Sequence, residues 1–200
     1  MDEKDPTVNI VLCGVGGQGI LVASDILSNV ALLAGHDVKK SEVHGMAQRG
    51  GSVISQVRYG EKIFSPLISK GDADFILAFE KLEALRYIDY LKPHGKILIN
   101  DQEIIPLTVF SSEAEYPKNV FELCQQNDAE VLPVNGIELA EELGNPRVLN
   151  VVMLGALSNF LYFTDEQWFE SIKKHLPSKF YTLNERAFKA GKMCKVKTND

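Results

Sequence analysis

Two stretches of the chain hold the residues whose types and spacing could do chemistry. The first is Gly14-Val15-Gly16-Gly17-Gln18-Gly19. It has the spacing G-x-G-x-x-G, directly after a short β-branched run and directly before a helical pattern. Glycines let the chain turn tightly and let backbone approach a ligand closely. The helix start that follows offers unpaired N–H groups to an anion. Three readings are open on these residues alone: the pyrophosphate of a dinucleotide, another phosphate or anion shared with a partner subunit, or a turn that only packs helix on strand. Dinucleotide binding also calls for an acidic residue ending the second strand, about 20 residues on. Asp37 lies near the start of that strand, so Glu42 is the better candidate.

The second stretch is Ser41 to Ser52, SEVHGMAQRGGS. It is too polar and glycine-rich for core. Gln48-Arg49-Gly50-Gly51 sets a guanidinium beside two flexible residues, and such a fork suits a carboxylate or phosphate. In a doubly wound sheet the loops after the first two strands lie close together at the carboxyl edge, where ligands bind. The two glycine stretches are therefore expected to converge. Glu80 and Asn100 follow predicted strands at the same edge, with helix capping or turn formation as the plain alternative. His44 or Glu42 could act as acid or base, but a solvated loop residue is the more ordinary role. No nucleophile elbow, HExxH or Walker A motif occurs. The candidate binding residues are thus Gly14, Gly16, Gly17, Gln18, Gly19, Glu42, Gln48, Arg49, Gly50, Gly51 and Asn100. No residue is assigned as catalytic or metal-ligating.

Alternating strands and helices must position these loops. Val8 to Cys13 reads as a buried strand and Gln18 to Leu33 as a helix stopped by Gly35. His36 to Val43 is a second strand. Ser52 to Tyr59 alternates and reads as a half-exposed strand, with Lys62 to Phe64 pairing across a turn at Gly60-Glu61. Asp74 to Phe79 and Lys96 to Asn100 are further strands, separated by a helix from Leu82 to Leu91. Glu130 to Val134 is another strand, between helices at Asn119 to Gln126 and Ile137 to Leu143. Asn145-Pro146 opens a mostly buried helix from Arg147 to Leu161. Thr164 to Gln167 is a capping box for a helix through His175, and a last helix covers residues 179 to 191. The pattern is α/β: a Rossmann-like, doubly wound, largely parallel sheet with a mixed edge hairpin and a helical part at 145–191. It reads as a single domain over 1–200, with loose ends at 1–6 and 192–200.

Composition narrows the function. The chain has 200 residues, 27 acidic and 21 basic, for a net charge of −6. That balance speaks against nucleic acid and acidic membranes as partners. No apolar stretch reaches the roughly 18 residues of a membrane span, and the acidic, polar start MDEKDP does not read as a signal peptide. Cys13, Cys124 and Cys194 are far apart and form no CxxC pair. Such thiols suggest a reducing cytoplasm, no disulfide framework and no iron–sulfur cluster on this chain.

Taken in order, GVGGQG, SEVHGMAQRGGSVISQVRYG and SPLISKGDADFILAFEKLEALRYIDYLKPHGKILIN resemble the gamma-type subunit or domain of the pyruvate/2-oxoacid ferredoxin oxidoreductases, and within it the indolepyruvate branch. The resemblance spans residues 8 to 190. It implies oxidative decarboxylation of indolepyruvate or another aryl 2-oxoacid to an acyl-CoA, with ferredoxin reduced. Thiamine diphosphate, magnesium and 4Fe-4S clusters are then expected on a larger alpha-type partner, since this chain shows no GDG thiamine motif. Coenzyme A would be a shared ligand, ferredoxin would be met through the complex, and the isolated chain would be inactive and could form a homodimer. A free-standing NAD- or FAD-dependent oxidoreductase and a non-catalytic assembly module stand as alternatives. An exposed apolar face on the 147–161 helix would favour the module, whereas a buried one leaves the surface loops for docking.

Overall fold

The structure is a computed structural model that describes residues 7–44, 50–105 and 116–194. The expected loose ends lie largely outside those residues. Six strands form one sheet: β1 Val8–Val15, β2 Asp37–His44, β3 Ser52–Gly60, β4 Ala73–Ala78, β5 Leu91–Asn100 and β6 Glu130–Val134. Their spatial order is β2-β3-β1-β4-β5-β6. The β1–β4, β4–β5 and β5–β6 pairs are parallel, and β3 alone runs against its neighbours.

The edge hairpin therefore exists, but between other strands than the sequence suggested. β3 pairs with β2 and β1, while Lys62 to Phe64 forms no strand. The half-exposed reading of β3 also fails. Ser55 and Gln56 are as buried as Val53 and Val57, because β3 sits between two strands with both faces covered. Gln56 remains tolerable inside because its Oε1 accepts from the Ile68 backbone N–H at 2.7 Å.

Helices cover both faces. α1 Ile20–Leu33, α4 Gly136–Glu142, α5 Leu149–Ser158, α6 Asp165–His175 and α7 Tyr181–Met193 lie on one side. They pack against the alternate strand residues Ile10, Leu12, Leu77, Leu98 and Leu132. α2 Lys81–Tyr87 and α3 Val120–Gln125 cover Val11, Ile76, Ala78, Ile97 and Ile99 on the other. The period-2 split of these residues between two cores is what a sheet buried on both faces requires.

Local signals fix the helix ends. Gly35 takes φ +89° just past α1. Asn145 accepts from the Arg147 N–H at 3.1 Å, Pro146 follows it, and a 3₁₀ turn at Pro146–Val148 leads into α5. The Thr164 capping box is complete, its hydroxyl accepting from Gln167 N and the Gln167 side chain from Thr164 N. Every residue of α5 is buried. That removes α5 as an assembly face and leaves the loops.

Candidate functional site at the carboxyl edge of the sheet

The glycine loop joins β1 to α1, and each of its glycines answers a different demand. Gly17 and Gly19 adopt φ +112° and +81°, a region costly for residues with a Cβ. A Cβ on Gly14 would come within 2.8 Å of both Gln18 Oε1 and Phe79 Cβ. A Cβ on Gly19 would meet the Asn150 amide at 2.9 Å, so α5 presses against the start of α1. No side chain caps α1, and no acidic residue lies in its first turn.

Gln18 turns inward. Its Oε1 accepts from Val15 N at 2.8 Å, and its Nε2 donates to Phe79 O at 2.8 Å and Gln102 Oε1 at 2.9 Å. One amide thus ties together the carboxyl ends of β1, β4 and β5. Asn100 does similar work below it and is completely buried. Its Nδ2 donates to Phe79 O at 2.9 Å and Gln102 Oε1 at 3.2 Å, and its Oδ1 accepts from Ile137 N at 3.0 Å. With no exposed surface and its amide engaged at both ends, Asn100 positions the edge and is not placed to contact a ligand. Glu80 is 1% exposed and caps α2 by accepting from Glu83 N at 3.0 Å. It also accepts from Ile104 N at 3.0 Å and from the Tyr116 hydroxyl. Burial and the neighbouring Glu80 carboxylate push the Tyr116 phenol well up from its usual range.

The two glycine stretches do converge. Gly16 N donates to Gly51 O at 2.8 Å, and Gly50 N donates to Gly16 O at 3.3 Å. Gly50 takes φ +74° to allow it. Gln48 and Arg49 lie outside the described residues, as does the His44 side chain. Beneath the joint, Ser52 donates to Glu83 and lies 3.0 Å from the Tyr87 hydroxyl. Arg86 Nε pairs with Glu83 at 3.1 Å. Burial outweighs these partners and holds the Glu83 carboxyl above the usual carboxylate range.

Glu42 is placed elsewhere. It projects from β2, with Lys40 Nζ 2.5 Å from its Oε1. Its cross-strand partner is Ser55, which pairs with Leu12, well back from the Val15 end of β1. Because β3 is inserted between β1 and β2, Glu42 lies about two strand spacings, roughly 10 Å, to the side of β1. This differs from the neighbouring-strand acid of a dinucleotide site. The sequence could not show it, since nothing in β3 marks it as an insertion.

Two hollows flank the glycine loop. One of about 390 Å³ is lined by Gly16, Gly17, Gly19, Ile20, Leu21, Val22 and Val53. The other, about 510 Å³, lies between the loop and the start of α5 and includes Gln102, Arg147 and Asn150. Sequence reading passed over Arg147 and Asn150, because only the packing of α5 against Gly19 brings them to this edge. Among the described residues no group of three or more His, Cys, Asp or Glu could hold a metal ion. Burial pushes the Cys124 thiol up to about 11. Cys13 rises for the same reason, helped by Glu83 and Glu80. Neither thiol is a nucleophile near neutral pH.

Fold and site together define a Rossmann-like α/β protein whose clamped glycine loop offers backbone and space at the carboxyl edge. The chain belongs to the family described as pyruvate ferredoxin/flavodoxin oxidoreductase, whose model matches residues 9–194. It is 44% identical over 190 residues to the indolepyruvate oxidoreductase subunit IorB of Thermococcus kodakarensis, covering 92% of this chain and 93% of that one. Among solved structures it resembles the gamma subunit of a keto/oxoacid ferredoxin oxidoreductase from Geobacter sulfurreducens, at 23% identity and TM-score 0.69 over 92% of this chain and 95% of that one. It also resembles 2-oxoglutarate:ferredoxin oxidoreductase from Magnetococcus marinus, solved with 2-oxoglutarate, coenzyme A and succinyl-CoA bound. There the identity is 22% and the TM-score 0.73, over 96% of this chain but 31% of that one.

Proposed function

We propose that the whole chain is one gamma-type domain acting as the small subunit of a heteromeric, ferredoxin-dependent 2-oxoacid oxidoreductase. Its substrate is indolepyruvate or a related aryl 2-oxoacid. The substrate loses carbon dioxide, its acyl carbon forms a thioester with coenzyme A, and the electron pair passes to oxidised ferredoxin. The observation that carries this reading is the 44% identity to IorB over nearly the full length of both chains.

The chain's own residues do not fit the cofactors of that chemistry. Cys13 and Cys124 are buried with raised thiols, and Cys194 stands apart in sequence near the end of α7. Thiamine diphosphate, magnesium and the 4Fe-4S clusters are therefore assigned to a larger alpha-type partner, and the chain alone is inactive. No helix among the described residues is long and apolar enough to cross a membrane, and a cytoplasmic location accords with that and with the three free thiols. Within the complex, the joint of the Gly14–Gly19 loop with Gly50 and Gly51 faces coenzyme A or the partner subunit. Arg49, next in sequence to Gly50, is the residue we assign as the anion contact, on its chemistry alone.

Replacing Arg49 by Ala in the reconstituted complex tests this. The expected result is a raised KM for coenzyme A or weaker assembly at an unchanged thermal midpoint of the subunit. Unchanged KM and unchanged assembly would remove the joint from the site. The displaced Glu42 leaves little support for NAD or FAD. A thermal-shift titration of the isolated chain with either should show no stabilisation.

A further inference from the structure

The larger hollow has a chemistry of its own. One wall is the glycine loop and first turn of α1, and the other is the Pro146–Val148 turn with the start of α5. Arg147 is the only charged residue lining it, and its guanidinium meets no carboxylate among the described residues. Asn150 is 6% exposed. Its Oδ1 accepts from Val151 N at 3.0 Å, while its Nδ2 has no acceptor among the described residues and lies against Gly19. The α1 N-terminus beside it has neither a side-chain cap nor an acidic first-turn residue. A cation, a free amide donor and an uncapped helix start thus converge with nothing among the described residues to satisfy them.

Gln18, Gln102, Asn145 and Asn184 also line it, and the remaining wall carries a run of apolar groups. Val22, Ile137, Leu149, Leu176, Pro177 and Phe180 surround the polar corner. A single guanidinium matches one negative charge better than a pyrophosphate, and the apolar wall asks for a flat or bulky body. The volume of about 510 Å³ is that of a small-molecule site.

We infer that this hollow binds a small aromatic monocarboxylate, its carboxylate on Arg147, Asn150 Nδ2 and the α1 N-terminus and its ring against Phe180 and Pro177. The inference does not depend on what the 45–51 loop contacts. It is tested by calorimetric titration of the full chain with indole-3-acetate, using indole-3-acetamide, inorganic phosphate and coenzyme A as comparators. The acid should bind saturably, and the neutral amide at least about tenfold more weakly. Arg147→Gln should weaken the acid by about tenfold or more, and Val22→Trp, which fills the hollow without removing the charge, should abolish binding. Arg147 is exposed and unpaired, so Arg147→Gln should melt with the parent. Any one of four results would overturn the inference: no saturable binding at millimolar acid, equal affinity for acid and amide, full affinity in Arg147→Gln, or displacement of the acid by phosphate or coenzyme A.

Discussion

The loop after β1 and the loops after β4 and β5 share one edge of the sheet but are built on opposite plans. After β4 and β5, polar side chains close on one another. Glu80 caps α2 and takes up Ile104 N and the Tyr116 hydroxyl, and Asn100 is spent on Phe79, Gln102 and Ile137. After β1, side chains are withheld. Glycines occupy the turn, Gln18 points back into the edge, and α1 begins without a cap. The difference separates scaffold from surface: satisfied side chains tie the edge together, and the glycine loop leaves backbone and the α1 start uncovered beside two hollows.

The largest expected effect comes from forcing a side chain into the open plan. Gly19→Ala places a Cβ against Asn150 at φ +81°. It should cost about 2–4 kcal/mol of unfolding free energy in urea titration. If Gly19→Ala were neutral, the tight α1–α5 joint would be wrong.

Next is the closed plan. Asn100→Ala leaves Phe79 O and Ile137 N with a lost partner in a fully buried position. It should cost about 2–3 kcal/mol, with the KM for coenzyme A in the complex unchanged. A raised KM at full stability would make Asn100 a binding residue after all.

A smaller effect concerns pH. The Glu83 pKa is raised above its ordinary 4.5 by burial. The native state therefore holds a proton that the unfolded state has released, so stability falls as pH rises from about 4.5 toward the raised value. Glu83→Gln should flatten that part of the stability–pH curve, measured by urea midpoints at a series of pH values. The smallest effect is chemical. In the folded protein Cys13 and Cys124 should resist iodoacetamide at neutral pH, with Cys194 the first to react by peptide mass mapping.

Much of this was legible in the residues. The strand at Glu130–Val134, the Thr164 box and the Asn145-Pro146 start follow from local patterns whose physics is local, and the joining of the two glycine loops was expected from sheet topology but comes from β3 pairing with β1. What escaped was long-range. The alternation of β3 suggested an edge, but its place between β2 and β1 is set by tertiary pairing, which buries Ser55 and Gln56 alike. That insertion is also what moves Glu42 away from β1. Gln18 and Asn100 were correctly placed at the carboxyl edge, but only the hydrogen-bond network shows them turned inward. Arg147 and Asn150 drew no notice because the start of a buried helix carries no mark of facing a hollow.

The proposal that this chain is one subunit of an enzyme whose redox cofactors sit on a partner is tested most directly by recombination. The chain and the proposed thiamine- and iron–sulfur-containing partner would be purified separately, then mixed at increasing ratio and assayed with indolepyruvate, coenzyme A and a viologen dye. The account predicts no dye reduction by this chain alone and activity that rises with added chain to saturation in a defined complex. Dye reduction by this chain alone, or partner activity indifferent to its addition, would contradict it.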